Sequence, residues 1–227
     1  MMYGGYDAST GPKALVTTCN ALAVAAAGWF LIGGTDTVAD WFGTRLDQAE
    51  PLRRGILFTL SAIYLLRFVA TTFVMLKRSM EWSEAATVGV WVVVIHGTMA
   101  YLGGTNTASV GALAWVGVVL YIAGSYLNTA SEYRRKLWKR VPEHKGRLYT
   151  EGLFKYSMHI NYFGDVVLFT GFALVTGSPW ALAIPVIMAC MFSFLNIPTL
   201  DKYLAERYGT AFEEYSRRTA KLVPFIY

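Results

Sequence analysis

Gly152-Leu-Phe-Lys-Tyr-Ser-Met-His-Ile-Asn-Tyr-Phe-Gly-Asp165 stands where a basic, aromatic segment gives way to an apolar run. The 23 residues from Tyr133 to Lys155 carry eight of the chain's 20 Lys and Arg, and the apolar run opens with a carboxylate, Asp165. Asn161 and Asp165 are four residues apart, so a helix puts them on one face, with His159 and Tyr162 flanking it. An amide beside a carboxylate suits a carboxamide, ribose hydroxyls or an adenine edge, because the amide donates two protons and the carboxylate only accepts. Asn128 and Glu132 repeat the same spacing upstream. Between the two pairs lie Arg134, Arg135, Lys136, Lys139, Arg140, Lys145 and Arg147. The pattern fits a phosphorylated nucleotide whose hydroxyls meet carboxylates and whose phosphates meet cations. A solvated basic loop uses the same residues, and composition alone does not separate the two.

Working outward, the 227-residue chain is 55% hydrophobic and only 15% charged, against roughly 25% charged in an average soluble domain. An integral membrane protein is expected. The net charge of +5 does not imply a nucleic-acid partner, because the basic residues cluster beside apolar runs, as they do in loops kept on the cytoplasmic side. Cys19 and Cys190 lie within apolar runs, where a thiol acts as a small hydrophobe. His96, His144 and His159 have no ligand spacing, so no metal is expected. No dinucleotide fingerprint or phosphate-binding glycine loop occurs. No cleavage signal stands out after the first apolar run, so Ala14 to Gly34 is expected to be retained as a helix.

Six apolar segments can be marked, near Leu15–Gly34, Gly55–Leu76, Ala85–Gly103, Val110–Leu127, Tyr162–Thr176 and Trp180–Leu200, each close to the ~20 residues that cross a bilayer core. Backbone groups in lipid must be satisfied within each segment, so the expectation is an all-α, polytopic integral membrane helical bundle of six or seven transmembrane helices. Gly33-Gly34 and Gly103-Gly104 read as helix stops, and Gly117, Gly124, Gly164 and Gly171 as sites of close helix packing. Lys77 and Arg78 follow the second segment and the basic cluster the fourth, which puts both termini in the cytoplasm of a bacterial-type inner (cell) membrane. Asp201–Tyr227 begins as an amphipathic pattern broken at Gly209, expected along the interface, and ends in a Leu-Val-Pro-Phe-Ile-Tyr expected to bury. Asn20, Arg67, His96, Asp165 and Asn196 fall at membrane depth, where a polar group is a functional candidate by default. The chain reads as one membrane domain, with residues 1–127 on the substrate side and 128–227 as a cofactor-binding half.

The opening stretch resembles the Gly-Leu-[Trp/Phe]-x-Tyr-Ser-Arg-His-Pro-Asn-Tyr-Phe-Gly-Glu signature of steroid 5-alpha-reductase-like membrane proteins. The Phe212–Tyr227 segment, ending Leu-Val-Pro-Phe-Ile-Tyr, is similar to the terminus of the steroid reductases. The resemblance covers about the last hundred residues. It implies NADPH as cofactor, with Asn128, Glu132, Arg147, Asn161, Asp165 and Tyr208 at its contacts; Lys139 of the basic loop and His159 beside the Asn161–Asp165 face are further candidate contacts. It also implies reduction of a conjugated carbon–carbon double bond in a hydrophobic steroid-, prenyl- or fatty-enone-like substrate taken from the bilayer. Membrane lipids are then the surroundings, and no obligate protein partner is implied. The sequence departs from the signature at Met158 and Ile160, which replace Arg and Pro. The reductases' catalytic Tyr falls at Phe68, leaving Tyr64, Arg67 or Tyr101 for that role, and Glu50 stands near the family's catalytic Glu. Tyr208–Tyr215 also resembles the ending of isoprenylcysteine carboxyl methyltransferases, which implies S-adenosylmethionine as the alternative cofactor. A noncatalytic lipid-binding membrane protein is the third class compatible with Phe68.

Overall fold

The structure is a computed structural model and describes residues 9–227. The N-terminal end of the orientation argument therefore lies outside the described residues. Nine α-helices are described: α1 Thr10–Trp29, α2 Thr35–Trp41, α3 Pro51–Ala70, α4 Trp82–Gly104, α5 Ala112–Trp138, α6 Ile160–Thr176, α7 Ala183–Met191, α8 Ile197–Tyr208 and α9 Thr210–Arg218. The protein is an all-α, polytopic membrane protein. Five continuous helical rods are long and apolar enough to cross a bilayer: Thr10–Trp41, Pro51–Met75, Trp82–Gly104, Ala112–Trp138 and Pro179–Tyr208. The fifth apolar segment is the shorter α6 of 17 residues, about 26 Å of helix against a hydrocarbon core of ~30 Å.

Several helix ends differ from expectation. Gly33 and Gly34 do not stop the first helix, which passes through a π-helical turn at Phe30–Gly34 into α2. The missing side chain of Gly34 serves packing instead, since a Cβ there would lie 2.7 Å from the Trp29 ring. Thr35 Oγ1 donates to the Phe30 carbonyl at 3.0 Å, supplying that carbonyl with a donor within the widened turn. Gly43, at φ +60°, follows the end of this rod instead. Another π-helical turn, Phe192–Asn196, joins α7 to α8, so the sixth apolar segment and the polar pattern from Asp201 form one rod. Gly104 and Gly209 do end helices as their positions suggest, Gly209 with φ +53° between α8 and α9.

The chain divides into two compact units. The first contains the described residues up to Val119 together with Thr170–Ile184. In it α1 packs along α4, and Gly89 lets the two approach because a Cβ would meet Cys19 Sγ at 3.3 Å. Near the start of α3, the Arg53 side chain is 2% exposed. Its Nη1 donates to the Val175 carbonyl at 2.6 Å, and its Nη2 to Ala108 and Ser109 carbonyls at 2.8 and 3.2 Å. Asn106 Nδ2 donates to the Thr176 carbonyl at 3.0 Å. These contacts supply donors to the exposed carbonyl end of α6, where a cation is also favoured by the helix dipole.

The second unit contains Leu120–Phe169 and Pro185–Tyr227. Its seam is the α5–α6 contact, where a Cβ on Gly124 would lie 2.5 Å from the Gly164 carbonyl oxygen and one on Gly164 would lie 2.6 Å from the Asn128 backbone nitrogen. In the first unit the same helices meet at Gly117 and Gly171. The expected close packing of these glycines is present in both places. The basic connection after α5 folds back on that helix: the His144 ring stacks on Trp138 at 4.0 Å, Tyr149 packs beside it, and Trp138 Nε1 donates to Glu151.

Downstream chain straps the entrance of α6. Met158 and His159 backbone N–H groups donate to the Ala220 and Lys221 carbonyls at 2.8 and 3.0 Å, and Ser157 Oγ donates to the Leu222 carbonyl at 2.8 Å. Met158 and Ile160, the two departures from the signature, are both buried. Met158 packs with Phe212 and Tyr215, and Ile160 with Tyr149 and Phe154. The apolar end of the chain behaves unevenly: Leu222 is buried, whereas Phe225 and Ile226 are exposed, against the expectation that the whole segment buries.

Candidate functional site

In the second unit the two amide–carboxylate pairs come together through the glycine seam. Gly124 and Gly164 bring the helix backbones close enough for Asn128 Nδ2 to donate to the Asn161 carbonyl at 3.1 Å. One turn further along α5, Glu132 Oε2 accepts from Arg135 at 2.5 Å, while its Oε1 is buried with no hydrogen-bond partner. Ser125 Oγ and Thr129 Oγ1 are also buried without a partner. Ser125, Thr129 and Glu132 are spaced four and three residues apart, so they form one stripe on α5. Hydroxyls inside helices ordinarily find a carbonyl one turn back, so this stripe has unused hydrogen-bonding capacity. Asn161 and Asp165, both partly exposed, lie one turn apart on α6.

Charged and aromatic groups of the same unit make their own contacts. Lys139 Nζ donates to Tyr208 Oη at 3.0 Å and sits 5.6 Å from the Tyr208 ring centre. Arg135 lies over the Phe154 ring at 5.5 Å. Arg147 is exposed on the connection between α5 and α6. His159 is buried at the entrance of α6, and Asp201 accepts from its Nε2 at 2.8 Å. The second Asp201 oxygen is 3.8 Å from Lys221. Nothing in the local sequence singles out Asp201 as the partner of His159, since the two are 42 residues apart. Tyr215 donates to the Phe154 carbonyl at 2.6 Å, and burial pushes its phenol pKa up, so the donor keeps its proton.

The four candidates in the first unit fall into separate settings. Tyr64 and Arg67 are together, with the guanidinium carbon 5.7 Å from the Tyr64 ring centre, and the Tyr64 ring meets the edge of His96 at 5.6 Å. Glu50 precedes α3 and is roughly 20 Å along it from Tyr64. Its Oε1 accepts from the Val110 backbone N–H at 2.5 Å, a contact that ties the α4–α5 connection to the start of α3. Tyr101 is half exposed and packs against Phe30. Among the described residues, no group of three or more His, Cys, Asp or Glu is arranged to hold a metal ion.

The pattern of a family described as a protein of unknown function, DUF1295, matches residues 84–219, more than half the chain. The chain belongs to the DUF1295 family. The matched region contains the helical seam, the unmatched α5 stripe and the His159–Asp201 pair.

Among curated relatives, this DUF1295 member is similar to human 3-oxo-5-alpha-steroid 4-dehydrogenase 2, with 31% identity over 112 residues, 49% of this chain and 42% of the relative. Rat 3-oxo-5-alpha-steroid 4-dehydrogenase 1 is 28% identical over 110 residues, 48% of this chain and 40% of the relative. "Probable O-methyltransferase ustE" of Ustilaginoidea virens is 32% identical over 92 residues, 40% of this chain and 32% of that protein. The matches thus span less than half the length of these curated relatives.

Proposed function

We propose that this membrane protein uses NADPH to reduce a carbon–carbon double bond conjugated to a ketone in a hydrophobic, steroid-, prenyl- or fatty-enone-like substrate. The observation that carries the reading is the α5 stripe of buried, unmatched oxygens, Ser125 Oγ, Thr129 Oγ1 and Glu132 Oε1, beside the Asn128–Asn161 contact. A nucleotide brings the hydroxyl and amide donors those oxygens need, and the adjoining cations suit its phosphates. The similarity to 3-oxo-steroid dehydrogenases supplies the reaction class.

When bound, NADPH supplies the hydride that goes to the carbon β to the ketone. The chain's own residues have other tasks. Glu132 and Asp165 accept hydroxyl hydrogens, with Asn128 and Asn161 setting the spacing of α5 and α6. Lys139, Arg147 and His159 offer positive or proton-donating groups to the phosphates, and Tyr208 offers a ring face. On the substrate side, Tyr64 and Arg67 are the better-placed donors for stabilising negative charge on the ketone oxygen, a role that depends on donors being set before the charge develops. Glu50 and Tyr101 are weaker candidates, because Glu50 is engaged by Val110 and Tyr101 packs on Phe30. In this reading residues 1–127 form the substrate side and residues 128–227 the cofactor half, and the basic segment after α5 supports an orientation with both termini in the cytoplasm of a bacterial-type cell membrane.

Titrating the purified protein with NADPH and with S-adenosylmethionine tests this. NADPH binding is expected, and Asp165→Ala abolishes it while the protein stays folded. An unchanged dissociation constant in Asp165→Ala removes that residue from the site. Binding of S-adenosylmethionine alone establishes the second reading, methyl transfer, which the 92-residue match to an O-methyltransferase favours.

A further inference from the structure

The first unit contains a polar cluster beside Tyr64 that the residue roles given so far leave without a task. Asn20 of α1, Ser61 of α3 and His96 of α4 are 0%, 2% and 0% exposed. His96 Nδ1 is 3.3 Å from Ser61 Oγ, and His96 Nε2 is 3.2 Å from Asn20 Oδ1. The His96 ring lies between Tyr64 and Phe172, 5.6 and 6.3 Å from their ring centres, each meeting it edge-on. Asn20 Nδ2 is buried with no hydrogen-bond partner. One turn earlier on the same face of α1, Thr17 Oγ1 is buried without a partner as well.

The hydrogen-bond roles run in one direction. Asn20 Oδ1 only accepts, so His96 Nε2 carries the hydrogen and donates to it. His96 Nδ1 is then a bare acceptor and receives the Ser61 hydroxyl hydrogen. The chain Ser61 to His96 to Asn20 therefore ends on an amide N–H with no acceptor, and each donation polarises the next group. An amide buried unmatched destabilises the fold, and the penalty is heavier at membrane depth, where no water competes to relieve it. Three helices converge to hold this one donor in place.

We propose that Asn20 Nδ2 is the docking point for the ketone oxygen of the hydrophobic substrate, acting together with Tyr64, whose ring lies 5.6 Å from that of His96, and with Ser61 and His96 as positioning residues that fix and polarise the amide. The ligand it selects is an otherwise apolar molecule with a single strong acceptor. A ketone meets that description, because it accepts without bringing a hydrogen that needs a second partner. The amide is sealed in this structure, so the ligand's oxygen replaces protein packing as it enters. The choice of a ketone rests on the reduction reading, and the docking point itself rests on the cluster.

The test uses the full chain in lipid nanodiscs without nucleotide. Three enones are compared, a 4-en-3-oxo steroid, a polyprenyl enone and a long-chain fatty enone, each against a counterpart lacking the oxygen. For at least one pair, wild type prefers the ketone by about tenfold, the effect of one net hydrogen bond. Asn20→Leu brings the ratio to about one with the affinity for the oxygen-free partner unchanged, and the gentler Ser61→Ala narrows the ratio about threefold. A carbon-13 ketone reports the same contact through a lowered C=O stretch that recovers in Asn20→Leu. No preference in any pair, or a preference that survives both substitutions, overturns the docking point. A separate NADPH titration keeps the two ideas distinct: ketone preference without NADPH binding keeps the docking point and removes the reductase, and NADPH binding without ketone preference does the reverse.

Discussion

The polar groups of the two units are handled in opposite ways. In the first, Arg53, His96 and Asn20 are buried to within 2% of completion, and Arg53 gives both terminal nitrogens to three backbone carbonyls while its Nε stays unmatched. In the second, Glu132, Asn161 and Asp165 are only partly covered, and the Glu132 carboxylate has one oxygen matched and one unmatched. Bonds to backbone groups mark a residue that holds the fold, because any ligand would have to break them to use it; Asn20, with its unmatched Nδ2, is an exception in the first unit. Partial satisfaction beside a partly open surface marks a residue with capacity to spare. By this criterion Glu50 belongs with Arg53 and Glu132 with the binding stripe, although both are carboxylates next to helices.

The contrast breaks most visibly at Arg53. Arg53→Leu leaves the Val175, Ala108 and Ser109 carbonyls without their donor, and about 3 kcal/mol or more of stability is expected to go, read as a lowered denaturation midpoint in detergent. Retention of wild-type stability would move Arg53 out of the structural class. Next comes the seam of the second unit: Gly164→Val forces a side chain against the Asn128 backbone nitrogen and is expected to cost about 1–3 kcal/mol. Its loss of nucleotide affinity should exceed its loss of stability, since Asn128 is displaced along with the helix. Glu132→Gln sharpens the comparison from the other side, with NADPH affinity falling about tenfold and the melting temperature nearly unchanged.

The smallest effect belongs to Tyr215→Phe, which removes a bond to the Phe154 carbonyl and costs about 1 kcal/mol. Its pH dependence follows from burial, which raises the phenol pKa above its ordinary value of about 10. The folded state therefore holds this proton more tightly than the unfolded state. The stabilisation is complete below about pH 10 and is lost as pH rises from there through the raised folded value. Melting temperatures measured from pH 8 to 11 should fall less steeply above pH 10 in Tyr215→Phe than in wild type; equal slopes would show that Tyr215 does not titrate differently on folding.

The apolar rods, the amide–carboxylate spacing and the close-packed glycines were legible in the sequence because each is set by neighbours within a turn or two. Helix ends were less so. Gly33-Gly34 looks like a stop by composition, yet the Trp29 ring and the Thr35 hydroxyl keep the helix running, and neither contact is a property of glycine itself. Asp201 and Arg53 escaped notice for a different reason: their partners lie 42 and up to 122 residues away, beyond any local pattern. Met158 and Ile160 looked like losses against the signature, whereas their burial shows positions filled for packing.

The strap at the entrance of α6 has a consequence in time as well as in space. Ser157, Met158 and His159 take their acceptors from Ala220 to Leu222, more than 60 residues downstream. During synthesis α6 can reach helical form long before those carbonyls exist, but the residues just before it must wait with open donors until the downstream chain arrives. Contacts of such separation close slowly because the intervening loop must first be ordered. The stripe of unmatched oxygens on α5 is therefore framed early, and the entrance of α6 is the last part of the second unit to become native.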